Sequence, residues 1–177
     1  MSSPDLRVRE LRIELPAPPA AVGAYQPVTV VGDMLYTSGV LPVWNGELRY
    51  AGVVGDDLNV ADGAEAARLC VLNLLALLRH HIGSLDAIRQ VVQLTGFVRS
   101  APGFGQQPKV LNAASDLLFQ VFGERGRHTR TALGTSDLPL GAAVEVSAVF
   151  RVFRDLVARP VPSQPVARTA ETTAPAG

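Results

Sequence analysis

Apolar residues recur along this chain with two different periods, and each change of period marks a new element. "VTVVGDMLYTSGVLP", residues 28 to 42, is rich in β-branched residues and breaks at Gly32-Asp33, a pair suited to a tight hairpin, so it predicts two short strands. "ELRYAGVVG", 47 to 55, predicts a third, shorter one. From residue 60 the period lengthens: in "VADGAEAARLCVLNLLALLRHHIG" the residues Ala67, Val71, Leu74, Leu78 and Ile82 recur every three or four positions, and Gly83 stands where a helix C-cap belongs. "IRQVVQLTGFV", 88 to 98, returns to a β-branched, partly alternating pattern. Gly103 and Gly105 then precede a second helical stretch, "QPKVLNAASDLLFQVFG", in which Val110, Ala114, Leu117, Leu118 and Val121 share a face and Gly123 ends it. "TRTALGTSDLP" and "AAVEVSAVFRV" predict the last two strands.

Two helices cannot cover both faces of a sheet built from this many strands. The pattern therefore predicts an α+β fold, a mixed β-sheet with both helices packed on one face. In the final strand Val144, Val146, Ala148, Phe150 and Val152 point one way and suit the helix layer. Glu145, Ser147, Val149 and Arg151 point the other, a mixed set fit to line a cleft or meet a second subunit.

Composition bounds the rest. With 177 residues, 47% hydrophobic and 18% charged, the chain can bury one sizeable core. The domain is expected over 1 to 156, followed by a flexible Pro/Ala/Thr-rich tail over 157 to 177, because "RPVPSQPVARTAETTAPAG" carries too little apolar surface to offset its ordering entropy. Sixteen Lys and Arg balance sixteen Asp and Glu, so no net field draws in nucleic acid or an anionic membrane. A single cysteine, Cys70, fits a reducing compartment and excludes an intrachain disulfide. The N-terminus lacks the apolar run of a signal peptide, and the segment Val71 to Leu78, interrupted by Asn73, is too short to span a bilayer. A cytoplasmic protein with no membrane association is expected.

Candidate chemistry is sparse. His80 and His81 are adjacent on a helix and diverge, His128 lies far along the chain, and no metal-ligand spacing occurs, so no metal is expected. There is no Gly-x-Ser-x-Gly, Cys70 sits in an apolar helix, and "GFGQQ" supplies only two glycines of a dinucleotide fingerprint. Arg130 and Glu145 stand out against small and apolar neighbours. They fit a cross-strand ion pair, or an arginine fork for a small carboxylate with a carboxylate nearby to handle a proton or a water. Periodicity does not choose between these.

The stretch "RTALGTSDLP" followed by "AAVEVSAVF" resembles the C-terminal signature of the Rid family, the reactive intermediate deaminases also called YjgF-like. "AAVGAY" resembles the family's N-terminal segment ending in a pocket tyrosine, "LYTSGVLPV" its Ser-Gly-x-Leu-Pro strand, and "VLNAASDLLFQVFG" its second helix. Roughly residues 19 to 152 are covered, in order, and the chain is most similar to a longer-chained branch without an assigned substrate. The resemblance implies a chorismate-mutase-like fold and a homotrimer with active sites in clefts between subunits. It also implies hydrolysis of reactive enamines or imines, such as 2-aminoacrylate, to 2-oxo acids and ammonium without a cofactor. By the same resemblance Arg130 binds the substrate carboxylate and Glu145 orients or activates the water. Tyr25, Ser38, Asn112 and the backbone at Ala132 contribute to the pocket. The chain departs from many such deaminases in having Ala132 for cysteine, Val40 for glutamine and Ala24 for proline.

Other readings are a specialised carbon-nitrogen bond enzyme of a biosynthetic or degradative pathway, or a non-catalytic trimeric module for small carboxylates. An endoribonuclease is disfavoured by zero net charge and 6% aromatic content, "GERGRHTR" being the one local basic cluster.

Overall fold

The computed structural model describes residues 3 to 19 and 23 to 157. The main sheet has five strands: β1 (Val28–Val31), β2 (Met34–Thr37), β5 (Ile88–Arg99), β6 (Thr129–Thr135) and β7 (Val144–Val152), in the spatial order β1-β2-β7-β5-β6. All neighbours are antiparallel except β5 and β6, so the sheet is mixed as expected. The β1-β2 hairpin turns at Gly32-Asp33, where Gly32 has a φ of 62°. A separate two-stranded ribbon, β3 (Val43–Trp44) and β4 (Glu47–Leu48), turns at Asn45-Gly46, both with positive φ.

The two long helices are α2 (Val60–Ile82) and α3 (Gln107–Phe122). Asn59 caps α2: its side chain accepts from the Ala61 and Asp62 amides while Asp62 accepts from the Asn59 amide. Both helices pack on the same face of the sheet, and the core between them holds Leu74, Leu78, Leu111, Leu118, Val146 and Phe150, all fully buried. Gly96 lets α3 approach, since a Cβ there would overlap the Leu111 side chain. Alternation along β7 matches the reading of the sequence, with Val144, Val146, Ala148, Phe150 and Val152 buried and Glu145, Ser147, Val149 and Arg151 turned to the uncovered face. That face exposes Tyr36 and Leu133 by nearly half.

Two expectations change. The third strand predicted over 47 to 55 is broken up: Glu47–Leu48 joins the ribbon, and beyond it the chain forms only isolated bridges, Ala51 with Ala142 and Val54 with Ser100, with Gly52 between them at positive φ. A helix precedes the sheet, α1 (Pro4–Glu10), capped by Ser3, whose hydroxyl accepts from the Leu6 amide. Asp5 pins α1 to the body. It accepts from Arg79 (Nε, 3.0 Å), from Ser84 Oγ (2.6 Å) and from the Leu85 amide (3.0 Å), and its own amide donates to Asp86. Burial opposes ionisation of Asp5, but the Ser84 and Arg79 hydrogen bonds outweigh it and hold the carboxyl below its ordinary range. All of the predicted tail except Val157 lies outside the described residues.

Candidate functional site

The sequence-predicted residues fall into two groups within one chain. Glu145 leaves β7 on the uncovered face and lies against Gly39, where any Cβ would overlap its Oε1. Ser38 and Tyr25 line the same cavity of about 1030 Å³. The Ser38 hydroxyl donates to the Gln26 carbonyl at 2.8 Å, which ties the end of β2 to the segment carrying Tyr25. The rest of the cavity wall comes from residues 17 to 19, Pro27, the Val40-Leu41 stretch after β2, the β3-β4 ribbon, Leu77 of α2 and the Pro139-Leu140 turn before β7. Two side chains fix that wall. Asn45 Oδ1 accepts from the Ala17 amide at 2.9 Å, and the fully buried Asn73 of α2 donates to the Val43 carbonyl at 2.6 Å. Among the described residues nothing donates to Glu145, and burial pushes its carboxyl above its ordinary range.

The second group sits on the helix side. Arg130 in β6 faces the same way as its buried neighbour Leu94, toward α3. Its Nη1 donates to Asn112 Oδ1 at 3.1 Å and to Ser115 Oγ at 3.0 Å, and its Nη2 donates to the Pro108 carbonyl at 3.3 Å. Pro108, Asn112 and Ser115 are spaced by four and three residues, so one stripe of α3 grips one side of the guanidinium. That leaves Nε–H and one Nη2–H without an acceptor among the described residues. Nε and Nη2 border one edge of the guanidinium, the fork that meets a carboxylate side-on. Ala132 follows on the same face, partly buried against the core.

Ser115 and His128 belong to this group; the sequence reading left out Ser115 and weighed His128 only as a metal ligand. His128 Nδ1 lies 2.6 Å from the Gly126 carbonyl, which can only accept, so Nδ1 carries the proton. In the neutral ring Nε2 then accepts from Ser115 Oγ at 3.1 Å, and the Ser115 lone pair is turned to Arg130. The signal was spacing: Ser115 is three residues after Asn112 on a helix, and His128 is two before Arg130 in extended chain, so each pair shares a face.

Arg130 and Glu145 form no ion pair with each other. They lie two strands apart, Arg130 registered with Leu94 and Glu145 with Phe97, on opposite faces and roughly 14 Å apart by strand spacing and rise. Among the described residues no cluster of three or more His, Cys, Asp or Glu side chains is placed to hold a metal ion, and no helix is long and apolar enough to cross a membrane. Cys70 is fully buried and its thiol donates to the Val144 carbonyl.

Comparison with known proteins places this geometry. Residues 5–152 match the family model described as "YjgF/chorismate_mutase-like, putative endoribonuclease". The Trypanosoma cruzi protein TCP17 is 42% identical over 146 residues, 82% of this chain and 91% of that protein. Among solved structures, a protein of unknown function from Agrobacterium tumefaciens is 40% identical with a TM-score of 0.77, over 85% of this chain and 92% of that one. One from Shewanella oneidensis, titled a putative endoribonuclease, is 37% identical with a TM-score of 0.82, over 85% of this chain and all of that one.

Proposed function

The chain belongs to the YjgF/chorismate mutase-like family, whose members are typically small-molecule-binding homotrimers, and from that premise we propose that it is a cofactor-free deaminase of 2-imino acids. The observation that carries the reading is the Arg130 guanidinium, gripped on one side by α3 and open toward a carboxylate on the other. The separation of Arg130 from Glu145 supports assembly as a homotrimer, with the Arg130 group of one copy completing the Glu145 group of the next. The half-exposed Tyr36 and Leu133 on the uncovered sheet face support the same arrangement.

In this reading Arg130 holds the substrate carboxylate, with Asn112 fixing the guanidinium and Tyr25, Ser38 and the backbone at Ala132 bordering the reacting carbon. An iminium carbon is already electrophilic, so the site needs to place one water and move protons. Glu145 takes a proton from the water as its oxygen bonds to the iminium carbon and returns it to the nitrogen; as the carbon-nitrogen bond then breaks, Glu145 takes the remaining hydroxyl proton while the carbonyl forms and passes it to the departing ammonia. The products are a 2-oxo acid and ammonium. A carboxyl that burial holds above its ordinary range is a better base for water than an ordinary one. Zero net charge gives an RNA backbone no attraction, which favours this reading over a ribonuclease.

The test is loss of 2-imino acids generated in situ by an amino-acid oxidase and trapped with semicarbazide. Wild type should compete with the trap, Arg130→Ala should not, and sedimentation should give three times the chain mass. No acceleration for any imino acid would overturn the deaminase reading and leave a carboxylate-binding module or a different carbon-nitrogen enzyme.

A further inference from the structure

The cavity around Glu145 carries information about the part of the ligand that does not react. At about 1030 Å³ it reaches the top of the range of about 300–1,000 Å³ for small-molecule sites, far more than a three-carbon acid fills. Its lining is mostly apolar: Val40, Leu41, Val43, Leu77 and Leu140, with Pro18, Pro19, Pro27 and Pro139 adding rigid surface. Away from the Glu145 carboxylate, which in this reading serves the reacting end, the Ser38 hydroxyl is engaged with the Gln26 carbonyl and Asn45 Oδ1 with the Ala17 amide. A polar substituent entering here would lose water with little in return, whereas an apolar one gains.

Leu140 gives a second, independent sign. It is 77% exposed and has a φ of 59°, a left-handed conformation that a leucine rarely adopts. Backbone strain that holds a large apolar side chain at the mouth of a cavity is an outlier of the kind found at ligand sites.

We propose that this cavity binds the side chain of a 2-imino acid bearing a bulky apolar substituent, alkyl or aryl, of about four carbons or more. The inference rests on the deaminase reading for the reacting end of the molecule. Leu140 and Val40 are specificity-determining residues in it, and the smallest 2-imino acids are poor substrates.

The experiment follows a series of acids that differ only in the substituent: pyruvate, 2-oxobutanoate, 2-oxopentanoate, 4-methyl-2-oxopentanoate and phenylpyruvate. Binding to the full chain is measured by calorimetry, and kcat/KM is measured on the matching imino acids. Affinity and kcat/KM should rise about four-fold per added carbon. Leu140→Asn should flatten the series, and because asparagine tolerates the same backbone conformation the fold is kept. Graded binding without turnover would sustain this proposal and sink the deaminase reading. Turnover that favours the smallest imino acid would do the reverse. Binding that is flat or absent across the series, as when a second copy of the chain fills the cavity, would overturn it, as would a slope unchanged in Leu140→Asn.

Discussion

Arg130 and Glu145, the two charged side chains that stand out in the C-terminal third of the chain, project from opposite faces of one sheet and are separated by the whole width of β5. Each has its own setting: Arg130 is held by three acceptors on α3, and Glu145 lies in an apolar cavity against Gly39. In the proposed function a ligand that touches both lies between two copies of the chain, so the variants below are expected to act through an assembled protein.

Replacing Arg130 by lysine keeps the charge and loses the fork. Losing a charge-assisted hydrogen bond corresponds to about 1.5–3 kcal/mol, so kcat/KM should fall by about 10- to 100-fold in Arg130→Lys and by more in Arg130→Ala. Both should appear mainly in KM, read from the semicarbazide competition assay.

Glu145→Gln should lower kcat by about 10²- to 10⁴-fold, the usual contribution of a general base. Since burial raises the Glu145 carboxyl, the acid limb of the wild-type pH-rate profile should lie above the ordinary carboxylate range and vanish in the variant. The stability effect has the opposite sign. The folded chain binds this proton more tightly than the unfolded chain, so stability falls as pH rises from the ordinary carboxylate value through the raised one. Thermal melts at neutral pH should therefore show Glu145→Gln at least as stable as wild type.

Ser115→Ala and His128→Phe should release one side of the Arg130 guanidinium without touching substrate. A lost hydrogen bond of about 1 kcal/mol predicts a KM increase of about five-fold for Ser115→Ala, with kcat little changed. His128→Gln should recover part of the His128→Phe defect, because its side-chain carbonyl can accept from Ser115. A kcat loss equal to that of Glu145→Gln would instead place the pair in the chemical step.

Gly39→Ala should displace the Glu145 carboxylate, because the added Cβ would occupy the position of Oε1. A shift of about 1 Å at a reacting group costs about 10²-fold in kcat, while the melting temperature should change little at this exposed position.

Asp5→Ala should detach α1. Its carboxylate accepts from Arg79, Ser84 and the Leu85 amide, and with screening by solvent the loss should be about 1–2 kcal/mol in denaturant unfolding. Because the folded-state carboxyl lies below its ordinary range, this stability is present above the ordinary value and is lost as pH falls through the folded one. The gap between wild type and variant should close in acid.

Much of the fold was legible because burial imposes a period. Ala67, Val71, Leu74, Leu78 and Ile82 announce α2, and the alternation from Val144 to Val152 announces both β7 and its two faces. The helix α1 was not legible, since its seven residues are mostly charged or polar and its stability comes from Asp5 reaching residues about eighty positions away. The strand predicted at 47 to 55 is divided because its hydrogen bonds go to distant segments, Glu47–Leu48 to the ribbon and Ala51 and Val54 to residues beside β7 and β5. For the site, resemblance picked out Arg130, Glu145, Tyr25, Ser38, Asn112 and Ala132, and spacing held the clue to Ser115 and His128.

The sequence by itself determined the α+β class, the two long helices, the inward and outward sides of β7 and the single buried cysteine, because each follows from local period and composition. Tertiary structure alone decided that β5 separates β6 from β7. That placement set Arg130 and Glu145 on different faces, allowed α3 to orient the guanidinium, and left an apolar cavity around the carboxylate. Strand order and register join residues distant along the chain, and local pattern carries no record of which strands become neighbours.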